Sequence, residues 1–80
     1  MAGEARRLLA VNLRALRKAR GMTQEDVAGV AEIDRSYVSE IENQRFSASL
    51  DMVERLAGAF GLPVHRMLDP DTARDASPRR

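Results

Sequence analysis

Cysteine and tryptophan do not occur in this 80-residue chain, and its aromatic residues are one tyrosine and two phenylalanines. Without cysteine there is neither a disulfide framework nor a thiolate metal site, which fits a reducing cytoplasm. The single histidine, His65, has no metal-ligand partner at useful spacing, so no metal, cofactor or small-molecule ligand is expected and a surface or dimer-interface role suits it better than catalysis. No Ser/His/Asp set or phosphate-cradling glycine loop is present, so an enzyme is not expected. No apolar run approaches the ~20 residues of a membrane span. A chain of this size buries roughly 60% of its unfolded surface, enough for one small domain without a deep cleft.

The informative stretch is Thr23 to Glu42, TQEDVAGVAEIDRSYVSEIE, which reads as two short helices joined by a tight turn. Thr23 can cap the first through its hydroxyl, and Glu25 and Asp26 suit the positive end of the helix dipole. Val27, Ala28, Val30 and Ala31 form its apolar stripe. Asp34 is a second N-cap candidate. Beyond it Val38 and Ile41 share one face, with Ile33 packed beneath, while Arg35, Ser36, Ser39 and Glu40 occupy the other. A second helix held rigidly across a first can enter a DNA major groove, which is about 12 Å wide.

Around this pair the sequence predicts three further helices. The first runs from Glu4 to Ala19, with Leu9, Leu13 and Leu16 facing the core and Gly21 ending it. Its Arg-rich amphipathic character also admits a transit-peptide or membrane-surface reading, but the shared core needs those leucines. The stretch Asn43 to Ser49 is a loop, and Ser49 can cap the next helix, Leu50 to Phe60. There Leu50, Val53, Leu56, Ala57 and Phe60 share a face. A short last helix spans Pro63 to Leu68. The expected domain is therefore residues 1–68, an all-α five-helix bundle, followed by a charged tail, residues 69–80, expected to be disordered for want of large apolar side chains.

Charge is unevenly placed. The net value is +1, yet Arg6, Arg7, Arg14, Arg17, Lys18 and Arg20 face only Glu4 in the first twenty residues. From 21 to 44, Arg35 stands alone against Glu25, Asp26, Glu32, Asp34, Glu40 and Glu42. An acidic reading unit must borrow cations from the first helix, Arg35 and Arg45. A modest salt dependence of nucleic-acid binding follows.

Three segments, LRALRKARGMTQEDVA, IDRSYVSEIE and SLDMVERLAGAFGLPVHRML, together resemble the phage-repressor and Cro type of helix-turn-helix domain, a lambda-repressor-like fold, and within it the controller proteins of restriction-modification systems. The resemblance covers roughly Leu13 to Leu68. It implies base reading by Arg35 and Ser36, with Ser39 and Glu40 beside them, and phosphate contact by Thr23, Gln24, Tyr37, Asn43, Arg45 and Ser47. It also implies an ion pair between Arg17 and Glu42, whose physical logic is that a poorly solvated carboxylate needs a cation offering two parallel hydrogen bonds. Arg35 can donate its fork to O6 and N7 of guanine. Tyr37 can alternatively pack its ring inward, and Glu40 can accept from a cytosine amine or stay clear of the phosphates.

The chain departs from the family pattern at two turns. Glu32 stands where glycine or asparagine is usual, so a left-handed conformation there would cost about 1–2 kcal/mol. Phe46, in the loop after the second helix of the pair, can anchor on the core, enter a partner interface or touch a thymine methyl. The first of these is favoured.

A lone recognition helix reads few base pairs, so a homodimer on a palindromic double-stranded DNA operator is expected, with half-sites about 34 Å apart. Phe60, Val64, Met67 and Leu68 are the expected interface. The function expected is that of a cytoplasmic transcriptional regulator without a separate sensor domain. An antitoxin or adaptor module binding protein through the acidic Glu25, Asp26, Glu32 and Glu40 is the alternative.

Overall fold

Leu9, Leu13 and Leu16 recur at helical spacing, and in the computed structural model, which describes residues 3–76, they form the buried stripe of α1, Glu4–Ala19. Four elements follow in the expected order: α2 (Gln24–Ala31), α3 (Arg35–Glu42), α4 (Leu50–Ala59) and a 3₁₀ turn (Val64–Leu68). A short helix, α5 (Thr72–Ala76), closes the described chain. The all-α bundle has one core, in which Leu13, Val27, Val38, Ile41, Leu56 and Met67 are almost wholly buried. α2 packs on α3 and α4, and α1 packs on α3, the 3₁₀ turn and α5.

Local chemistry sets the boundaries. Thr23 Oγ1 accepts from the Asp26 N–H at 3.0 Å while Asp26 accepts from the Thr23 N–H at 2.9 Å, a reciprocal cap that starts α2. Ser49 Oγ accepts from the Met52 N–H and starts α4. Asp34 holds the N-cap position of α3 with extended backbone but makes no side-chain cap bond. α1 ends at Gly21, with φ 65°, where the Met22 N–H turns back to the Arg17 carbonyl.

The same left-handed turn ends α2 and α3 without glycine. Glu32 and Gln44 both have φ 61°, and the Ile33 and Arg45 N–H groups reach back to the Ala28 and Glu40 carbonyls. The strain expected at Glu32 is therefore present, and Gln44 repeats it. Glu32→Gly should raise stability by about 0.5–1 kcal/mol, the steric relief of about 1–2 kcal/mol less the glycine's greater entropy loss. Urea denaturation checks this, and a loss of stability would contradict it.

Three expectations about faces are corrected. Val30 is 60% exposed, because it lies off the stripe its neighbours bury, and Leu50 is 81% exposed although it opens α4 in line with the buried stripe. Phe60 and Met67 are 3% and 0% exposed, so they complete the core and cannot form an interface. Phe60 also carries the Arg20 guanidinium over its ring at 5.4 Å.

The expected tail boundary at residue 69 is corrected as well. Residues 69–76 fold back on α1, and the remainder of the predicted tail, 77–80, lies outside the described residues. Polar anchoring takes the place of large apolar side chains. Asn12, 1% exposed, donates through Nδ2 to the Met67 carbonyl at 2.8 Å and the Asp69 carbonyl at 3.0 Å. The Thr72 hydroxyl donates to the Arg66 carbonyl, and Arg66 pairs with Asp69 and Asp75.

Asn12→Ala would take the buried donor from the Met67 carbonyl and leave the Asp69 carbonyl with the Thr72 N–H alone. The expected cost is about 2–3 kcal/mol, with amide exchange accelerated across residues 69–76. Unchanged exchange in that segment would contradict this account of the anchor.

Candidate nucleic-acid interface

The second helix of the pair is fixed from beneath by one buried carboxylate. Glu42, whose side chain is 0% exposed, receives the Arg17 fork, Nε to Oε2 at 2.7 Å and Nη2 to Oε1 at 3.0 Å. Gln24 Nε2 donates to Oε1 at 3.1 Å, and Arg14 Nε lies 3.5 Å away. Arg17 also donates to the Met22 carbonyl, so the last turn of α1, the start of α2 and the end of α3 meet at one point. Burial pushes the Glu42 carboxyl pKa up, but hydrogen bonds from Arg17 and Gln24 and the charges of Arg17 and Arg14 outweigh it and hold the group below its ordinary value. Hydrogen bonding to Glu42 correspondingly raises Arg17. The Arg17–Glu42 pairing implied by the family resemblance is present, and Gln24 belongs to it too.

With Val38, Ile41 and Glu42 turned inward, α3 presents Ser36, Ser39, Glu40 and Asn43 outward, at the i, i+3, i+4, i+7 spacing of a single stripe. Arg35 flanks that stripe on the α2 side. It shares a shallow concavity with Arg17, Thr23, Gln24 and Glu25 and is exposed, with no side-chain partner among the described residues. Arg45 and Ser47 are exposed in the following loop.

Three of the residues expected to contact phosphate carry internal bonds, Thr23 through its cap to Asp26 and Gln24 and Asn43 through their amides. Asn43 Nδ2 donates to the Ser39 carbonyl at 2.9 Å and approaches Ser39 Oγ at 3.5 Å. Gln24 is committed to Glu42 through one amide hydrogen and keeps the other. Tyr37 stacks on Phe46 with centroids 5.2 Å apart and planes at 19°, while remaining 39% exposed. Phe46 is partly buried against the core, the anchor role favoured for it. Tyr37 therefore braces the loop that carries Arg45.

Glu32 and Glu40 are the charges whose roles the sequence left open. Glu40 is half-buried as a residue, and its carboxylate has no hydrogen-bond or ion-pair partner among the described residues. Glu32 contributes its carbonyl, which accepts from Arg55 Nη1 at 3.2 Å. No group of acidic or histidine side chains among the described residues could hold a metal ion, and no helix there is long and apolar enough to cross a membrane.

Ser47 also lines a groove that holds exposed apolar side chains. Leu50 and Leu68 line that groove with Ala5, Leu9, Ala48 and Val53; Leu68 is 36% exposed and Val64 44%. Leu50 was missed as a surface residue because its position reads equally well as part of the α4 core stripe.

Residues 13–66 match a family described as helix-turn-helix. A protein of Neisseria meningitidis serogroup B, named as a hypothetical transcription factor, is 35% identical over 71 residues, covering 89% of this chain and 67% of its own length. The crystal structure of a hypothetical transcription factor, NHTF, from Neisseria superposes with a TM-score of 0.81 over 88% of this chain and 80% of that one, at 36% identity. The restriction-modification controller protein C.AhdI of Aeromonas hydrophila superposes with a TM-score of 0.73 at 34% identity, over 80% of this chain and 96% of that one. The HTH-type transcriptional regulator DdrOP3 of Deinococcus deserti is 39% identical over 61 residues, and this chain spans 47% of its length.

Proposed function

The chain belongs to the helix-turn-helix family, and from that premise we propose that it is a sequence-specific, double-stranded-DNA-binding transcriptional regulator acting in the cytoplasm as a dimer on a palindromic operator. The open face of α3 carries the reading: a rigidly backed helix offers a polar stripe with an unpaired arginine at its leading edge. That face suits a major groove, with Arg35 donating to guanine and Ser36 and Ser39 contacting neighbouring base edges. Gln24 has one amide hydrogen left for a phosphate, and the Thr23 hydroxyl, whose oxygen accepts from Asp26, keeps its own proton to donate. Tyr37, Asn43, Arg45 and Ser47 complete the phosphate contacts.

Dimerisation uses Leu50, Val64 and Leu68, the exposed apolar residues beside α4 and the 3₁₀ turn. Leu50→Asp combined with Leu68→Asp should yield a monomer by sedimentation and weaken operator binding at least about 10-fold, since each half-site then binds alone. A dimer of unchanged strength would place the interface elsewhere.

Selection from random duplex DNA at low salt tests the whole reading. Two inverted half-sites with centres about 34 Å apart support it. No enriched motif would overturn it and favour a protein-binding module, for which the exposed Glu25, Asp26 and Val30 on α2 provide a surface.

A further inference from the structure

Once internal hydrogen bonds are assigned, Glu40 remains the one acceptor-only side chain of the α3 stripe, among hydroxyl and amide groups that can also donate. Asn43 gives one amide hydrogen to the Ser39 carbonyl, which leaves its other amide hydrogen for a phosphate and its carbonyl oxygen as an acceptor. Glu40, adjacent on the same stripe, is acceptor-only when ionised and has no internal partner among the described residues. No cation pairs with it among the described residues: Arg14 and Arg17 are directed to Glu42, Arg35 flanks the stripe at the other end of the helix, and Arg45, whose N–H donates to the Glu40 carbonyl, makes no ion pair with its carboxylate.

Only two base-edge groups in the major groove donate hydrogen bonds, the N4 amine of cytosine and the N6 amine of adenine. Adenine places its N7 acceptor beside that amine, which repels a carboxylate; cytosine presents no acceptor of its own on that edge. A carboxylate is also repelled by phosphates, so its presence on this face disfavours every site that does not offer it a donor. We propose that Glu40 is a specificity-determining residue that selects cytosine at one position of each half-site. This rests on the DNA-binding reading above and adds a named base to it. Arg35 and Glu40 then divide the labour, the first donating to guanine and the second accepting from cytosine.

The test repeats the duplex selection with wild type, Glu40→Gln and Glu40→Ala, each checked for native melting. Wild type should enrich cytosine at one position per half-site, with about 5- to 10-fold weaker binding to the other bases there, the lower range for a single base contact. Glu40→Gln should shift that position toward adenine, because a carboxamide can pair with both N6 and N7. Glu40→Ala should lose the preference there and bind non-specific DNA more tightly, having lost a repulsive charge. An enriched motif identical in all three proteins would overturn the Glu40 assignment while leaving the DNA-binding reading intact. Failure of wild type to enrich any motif would overturn both.

Discussion

Arg17→Ala is expected to destabilise the domain by about 3–5 kcal/mol, the usual cost of removing one partner from a buried ion pair. The large value arises from what remains. Glu42 has a fully buried side chain and would keep only the Gln24 amide and the distant, half-exposed Arg14, too little to offset a desolvated carboxylate. A domain of this size has on the order of 4–12 kcal/mol in total, so the variant should be close to unfolding at room temperature. Replacing both residues together, Arg17→Met with Glu42→Leu, should cost far less, because no charge is left stranded. Equilibrium urea denaturation separates the two results, and a single-variant loss under about 1 kcal/mol would contradict this account.

The same carboxylate gives the domain an acid limit. Because the folded-state pKa of Glu42 is held below its ordinary value, its contribution is present above the unfolded-state pKa of about 4.3 and is lost as pH falls through the lower folded value. Glu42→Gln should therefore start less stable at neutral pH and lose less than wild type on acidification.

Arg35→Ala is the second large effect, on binding rather than on stability. A bidentate guanine contact is worth about 1–3 kcal/mol, and a dimer makes two, so affinity for the operator should fall by about 2–6 kcal/mol, or at least about 30-fold. Melting should move little, since Arg35 is exposed and unpaired. Titration at several salt concentrations distinguishes the roles: loss of a base contact lowers specificity at one position, whereas loss of a phosphate contact weakens all sequences and reduces the salt slope.

The bounds of α2 and α3 were legible in the sequence because caps and apolar spacing agree there, Thr23 with Asp26 and Val38 with Ile41. Glu32 was legible too, as a residue forced into a glycine's conformation. Elsewhere the pattern was ambiguous for identifiable reasons. Leu50 and Phe60 both fit the α4 stripe, yet Phe60 at the end of the helix is buried in the core while Leu50 in its first turn is exposed, a difference that periodicity does not express. Residues 69–76 lack large apolar groups, so composition predicted disorder, whereas Asn12 anchors them through bonds spanning more than fifty residues of sequence. Gln24 was assigned to DNA alone, and its bond to Glu42 became visible only when the helices were placed together. Local periodicity cannot express such long-range polar pairing.

The central claim is that α3 lies in the major groove with Arg35 against guanine. Methylation of guanine N7 by dimethyl sulfate probes that edge directly. On a selected operator at saturating protein, one guanine in each half-site should be protected by wild type and regain reactivity with Arg35→Ala at equal occupancy. Guanines equally reactive with and without wild-type protein, or protection that persists unchanged in the variant, would contradict it.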